Sequence, residues 1–130
     1  MSETILIVDD SPTNLKLVCD VLECEGHTVL RAPDAQIAQE LLKHSQPDLI
    51  LLDIQMPGMD GLTLTRLLKA DPAYQHIRIV ALTAFAMKGD EQKALEAGCD
   101  GYITKPINTR ELNNQLATIL QRSAARAETI

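Results

Sequence analysis

Four short stretches of the chain are apolar without interruption: Ile5-Leu6-Ile7-Val8, Leu49-Ile50-Leu51-Leu52, Ile79-Val80-Ala81-Leu82 and the shorter Tyr102-Ile103. None alternates polar with apolar. Unalternating runs bounded by turn residues fit strands covered on both faces, as in a parallel sheet. Thr28-Val29-Leu30, after Gly26, is a weaker fifth run. The intervening stretches are apolar at helical spacing. Leu15, Val18 and Leu22 follow Ser11 as N-cap and Pro12 at the first helical position, and Gly26 is placed to end that helix. Ile37, Ala38, Leu41 and Leu42 form a second stripe, and Leu64, Leu67 and Leu68 a third, after Gly61. Lys88 to Ala97 is a weaker helix stopped by Gly98. Leu112, Leu116, Ile119 and Leu120 make a clean last stripe, with Asn108 and Glu111 spaced as a capping box. The order βαβαβαβαβα predicts an α/β fold: an open, doubly wound parallel sheet of five strands with helices on both faces. The ligand site of such a sheet lies beyond the carboxyl ends of its strands.

Length and composition narrow this further. A chain of 130 residues suits one domain, expected over 1–124, with the Ala/Arg/Glu-rich end at 125–130 as a short tail. Met1 and the shortness of that tail favour a free-standing protein. One Phe, two Tyr and no Trp make the core aliphatic. A net charge of −6, with no basic patch, argues against direct nucleic-acid binding. No run approaches the roughly 20 apolar residues of a membrane helix, and the N-terminus does not read as a signal peptide. Cys19, Cys24 and Cys99 lack metal-type spacing and read as buried, reduced thiols of a cytoplasmic protein. His27, His44 and His76 are scattered and read as surface residues, and Met56, Met59 and Met87 as packing or partner surface.

What stands at the strand ends carries the chemistry. The first strand ends in Asp9-Asp10, the third in Asp53, the fourth in Thr83 and the fifth in Lys105. Carboxylates gathered in one crevice repel, by about 4 kcal/mol per pair at ~4 Å and an effective dielectric of 20. A dication removes that cost. Mg²⁺ suits such a site because it takes one or two carboxylates, keeps waters and accepts a phosphoryl oxygen. Asp10 and Asp53 are the expected direct ligands, Asp9 a ligand through water, and the backbone carbonyl of Gln55 a further oxygen. Asp53 is the candidate nucleophile, since aspartyl phosphates are a known covalent intermediate. Lys105 would pair with one phosphoryl oxygen and Thr83 would donate to another, with the small Ala84 leaving room for approach. An Asp-Asp pair, a lone Asp before Met-Pro-Gly or a Lys-Pro step is commonplace; their joint placement at four strand ends is not.

Val8-Asp9-Asp10, Leu52-Asp53-Ile54-Gln55-Met56-Pro57-Gly58-Met59-Asp60-Gly61, Leu82-Thr83-Ala84 and Thr104-Lys105-Pro106 together resemble the motifs of CheY-like response-regulator receiver domains, from about residue 4 to about residue 120. The stretch from Thr83 to Glu91 is similar to DivK-like single-domain regulators and to hybrid-kinase receivers. The resemblance implies a flavodoxin-like sheet of order 2-1-3-4-5. It implies Asp53 as acceptor of a phosphoryl group from a histidine kinase or phosphotransfer protein, Asp9 and Asp10 as Mg²⁺ residues, and Thr83, Ala84 and Lys105 in contact with the phosphoryl group. It further implies Tyr102 as an aromatic that reorients with Thr83, and a cis bond before Pro106. A downstream protein partner is expected on the helix 4–strand 5–helix 5 face. Gly58 and Gly61 are expected at positive φ in the loop after Asp53.

Three other readings of the same residues compete. A haloacid-dehalogenase-type phosphatase would carry an acid/base Asp two residues after the nucleophile, where this chain has Gln55. A flavin domain of like topology would need a hydroxyl- and Gly-rich phosphate loop after the first strand, where Asp9-Asp10 repel a phosphate. A pseudo-receiver would have lost acidic positions that are all filled here. The expectation is therefore a binding module that catalyses only its own phosphoryl transfer and dephosphorylation, not an enzyme with a separate substrate.

Overall fold

The computed structural model describes residues 3–54, 61–83, 90–104, 110–112 and 114–119. Its elements are β1 (Thr4–Val8), α1 (Pro12–Cys24), β2 (Thr28–Ala32), α2 (Ala35–His44), β3 (Leu49–Asp53), α3 (Gly61–Ala70), β4 (Arg78–Thr83), α4 (Asp90–Ala97) and β5 (Gly101–Thr104). Residues 110–112 and 114–119 are helical and are called α5. The strands form one all-parallel sheet in the order β2-β1-β3-β4-β5. That is the expected α/β, flavodoxin-like arrangement.

Successive strand side chains point to opposite faces, so the apolar runs divide by parity into two layers. Ile5, Ile7, Leu49, Leu51, Val80, Leu82 and Ile103 meet Val18 and Leu22 of α1 and Leu112, Leu116 and Ile119 of α5. Leu6, Val8, Ile50, Leu52, Ile79 and Ala81 meet Ala38 and Leu42 of α2, Leu64 and Leu68 of α3 and Ala94 of α4. A strand buried on both faces cannot alternate, which is why these runs do not.

Local chemistry sets the helix ends. The Ser11 hydroxyl accepts from the Asn14 amide (3.3 Å) with Pro12 at the first helical position. The Asp34 carboxylate accepts from the Ile37 amide (2.8 Å) at the start of α2. Gly26 and Gly98 follow α1 and α4 at φ +90° and +111°, conformations that L side chains avoid. Near Gly98, Lys69 at the end of α3 donates to the Ile77 carbonyl (2.7 Å) and to Asp100 Oδ2 (3.1 Å). The same Oδ2 accepts from the Ile79 amide (2.9 Å), so Lys69 and Asp100 together tie the end of α3 to the start of β4 and to the residue before β5.

Four expectations are corrected. Ile37 (41% exposed) and Leu67 (48%) stand outside the core. Ala35, Ala38 and Leu42 form the buried face of α2, which leaves Ile37 facing outward, while α3 buries Leu64, Thr65 and Leu68. Cys24 is exposed at the end of α1, although Cys19 and Cys99 are buried as expected. Gly61 does not have a positive φ. It opens α3 where a Cβ would lie 2.6 Å from the Asp53 carbonyl oxygen and from Ile54 Cα, so close approach, not φ, demands glycine. Gly58, Lys88 and Asn108 lie outside the described residues.

Candidate metal and phosphoryl site

The site grows from the pairing of β1 with β3, in register from Ile5 opposite Leu49 to Val8 opposite Leu52. That register brings the next residues, Asp9 and Asp53, to adjacent strand ends. Asp9 continues the ladder through its amide to the Ala32 carbonyl (3.1 Å) and is wholly buried; Asp53 is 2% exposed. Asp10 is exposed at the mouth. One carboxylate oxygen from each of Asp9, Asp10 and Asp53 lies within 4.8 Å of the other two.

Among the described residues the buried polar or charged side chains are Asp9, Asp53, Thr65 and Thr83. Thr65 is accounted for inside α3, its hydroxyl donating to the Gly61 carbonyl (2.8 Å). The other three stand at carboxyl ends of neighbouring strands. Burying carboxylates beside one another costs energy that an apolar end of the sheet would not incur. Such a set fits a small hard dication, whose charge offsets the repulsion and whose preferred donors are carboxylate oxygens.

Thr83 ends β4 next to Asp53, whose register partner on that strand is Leu82, and the Ile54 amide donates to the Leu82 carbonyl (3.1 Å). Across the other side of β4, Thr83 is paired with Thr104 and Ala81 with Tyr102. Tyr102 is half-buried against the layer holding α2, α3 and α4. Gln55, Ala84, Lys105 and Pro106 lie outside the described residues.

Sequence reasoning missed what orients Asp9. Its Oδ1 accepts from the Ser11 amide (2.9 Å) and its Oδ2 from the Asn14 side-chain amide (3.4 Å). The sequence shows only an Asn in the first turn of a helix whose N-cap follows a carboxylate pair, which does not by itself say what the Asn reaches. A second polar group, at the opposite end of the sheet, brings together Glu3, His27 and Asp48. His27 Nδ1 accepts from the Glu3 amide (3.1 Å), and Asp48 Oδ2 from the Thr4 amide (2.8 Å). Burial, then a hydrogen bond and charge repulsion from Asp48, push the Glu3 carboxyl above its usual range.

Residues 5–117 match the family model described as response regulator receiver domain. The polar-differentiation response regulator DivK of Brucella ovis is 44% identical over 108 residues, covering 83% of this chain and 88% of that protein. A putative response regulator from Chloroflexus aurantiacus superposes with a TM-score of 0.87 at 31% identity, covering 93% of this chain and 99% of the other. The receiver domain of a sensor histidine kinase from Pseudomonas aeruginosa, described with a magnesium ion coordinated in its active site cleft, gives 0.80 at 34% identity, covering 94% and 97%.

Proposed function

Since this chain belongs to the response regulator receiver domain family of two-component signalling, we propose that it accepts a phosphoryl group on Asp53 from a histidine kinase or phosphotransfer protein and thereby switches its affinity for a protein partner. The observation that carries this reading is the convergence of Asp9, Asp10 and Asp53 at the carboxyl ends of β1 and β3.

In the reaction an Asp53 carboxylate oxygen attacks phosphorus in line. The bond from phosphorus to the donor imidazole nitrogen breaks, and the nitrogen keeps the electron pair. Asp10 and Asp53, with Asp9 and the Gln55 carbonyl, would hold Mg²⁺, which would neutralise charge on the transferring group. Lys105 would pair with a phosphoryl oxygen and Thr83 would donate to another, with Ala84 a further contact of the group on this reading. The protein is on this reading a switch and not an enzyme with a separate substrate.

Thr83 reaches the phosphoryl group by moving, and Tyr102 on the adjacent strand fills the space it leaves. Tyr102 also lines a groove of about 400 Å³ shared by Leu95 of α4 and Gln115, Thr118 and Ile119 of α5. Rotation of its ring would reshape that face, which supports a partner site on α4, β5 and α5. Cys19, Cys24 and Cys99 are free, in keeping with the cytoplasm.

Incubation with acetyl phosphate and Mg²⁺ tests the reading. The wild type gains one phosphoryl mass, while Asp53→Asn, or wild type in EDTA, does not. Thr83→Ala gains the mass but loses most of the roughly 5- to 150-fold change in partner affinity that a switch of ordinary strength provides. Equal labelling of Asp53→Asn overturns the acceptor assignment; a full affinity change in Thr83→Ala overturns the switch.

A further inference from the structure

Asp9 is the most enclosed of the three carboxylates, and both its oxygens are tied to the first turn of α1. One tie, to Oδ1, is the Ser11 backbone amide and belongs to any residue at that position. The other is a side chain: Asn14 Nδ2 donates to Oδ2 at 3.4 Å. Asn14 does not need this bond to keep the helix, because its backbone amide already donates to the Ser11 hydroxyl and so completes the N-cap. Its amide group is instead spent on a buried carboxylate that shares a 4.8 Å cluster with two others.

We propose that Asn14 is a positioning residue for the cation site, holding the Asp9 carboxylate, through Oδ2, in the orientation that faces Asp10 and Asp53. The inference rests on the Mg²⁺ reading above. A carboxylate among like charges rotates away from them when it is free to do so. A donor anchored in a helix opposes that rotation and lowers the cost of keeping the cluster assembled before the cation arrives. Groups that orient metal-binding side chains in this way characteristically change affinity about 10- to 100-fold when removed. The single, rather long bond places Asn14 at the low end.

The test compares wild type with Asn14→Ala and Asn14→Leu. The first removes the donor in a residue favourable to helix, the second keeps the volume without the donor, and thermal melts confirm that both fold. Mg²⁺ affinity is read directly by calorimetric titration, and the rate of labelling by acetyl phosphate is followed against Mg²⁺ concentration. In both variants the Kd and the half-saturating Mg²⁺ rise about tenfold, while the rate at saturating Mg²⁺ stays within about twofold of wild type. A merely structural role would lower that limiting rate and leave half-saturation in place, and that pattern overturns the proposal. So does a Kd raised by less than about threefold. Wild type that binds no Mg²⁺ overturns the metal reading and this inference together, whereas wild-type binding with unaltered variants overturns the inference alone.

Discussion

Glu3 shows how one residue can be legible in chemistry and illegible in context. In the sequence it is an acidic residue near the start of the chain; in the fold it lies against Asp48, which reaches it from the start of β3. Its carboxyl is raised above the ordinary range, so the neutral form is the one the fold favours. The stability contributed by that group is therefore complete below the unfolded-state pKa and is lost as pH rises through the higher folded value. At neutral pH the ionised Glu3 opposes folding. Glu3→Gln is expected to raise the melting temperature at pH 7, with the advantage shrinking toward zero as pH falls below 4. Melts of both proteins across that range decide it, and an advantage that grows on acidification refutes it. Asp9 and Asp53 were visible because strand ends are where a parallel sheet puts chemistry. Asn14 was not, because spacing along a helix does not show which neighbouring element a polar tip reaches.

Among the elements, strands were the most legible. β3 buries all five of its residues, and its uninterrupted Leu-Ile-Leu-Leu run between turn residues suits a strand covered on both faces. β2, at the sheet's edge, buries only Ala32 of its five and correspondingly gave a weak signal. Helices announced their existence but not their rotation. A stripe at i, i+3, i+4 is broad, and only the packed partner decides that Leu64 and Leu68 go in while Leu67 stays out. The first residue of α3 sets a contest of magnitudes. Gly61→Ala adds up to ~1 kcal/mol of helix propensity, yet its methyl group would meet backbone atoms of Asp53 and Ile54 at 2.6 Å. Overpacking a well-packed interior costs about 1–3 kcal/mol, and contact with backbone atoms leaves little room to relax. Gly61→Ala is accordingly expected to destabilise by roughly 1–2 kcal/mol net, at the upper end of that overpacking range offset by the propensity. Urea unfolding measures it; a variant as stable as wild type would show that the α3 start moves freely away from Asp53.

For the whole molecule, a cation held at the acidic end of the sheet would link stability to its binding. A cation that binds only the folded state adds RT ln(1 + [L]/Kd), about 1.4 kcal/mol when Mg²⁺ stands tenfold above its Kd. The unfolding free energy from urea melts is expected to rise by that amount between EDTA and Mg²⁺, with the midpoint moving up accordingly. Asp10→Asn is expected to raise the midpoint in EDTA, by removing one repelling charge, and to lose most of the Mg²⁺ increment. A wild-type midpoint indifferent to Mg²⁺ speaks against the site. The strand order β2-β1-β3-β4-β5 has a further consequence during synthesis. A chain leaving the ribosome amino end first releases β1, β2 and β3 before β4 and β5. β3 lies directly beside β1, so the pairing that brings Asp9 next to Asp53 needs only the first three strands, whereas Thr83 and Tyr102 come from strands made later. A divalent cation at that end would therefore relieve a repulsion that the first three strands are enough to create.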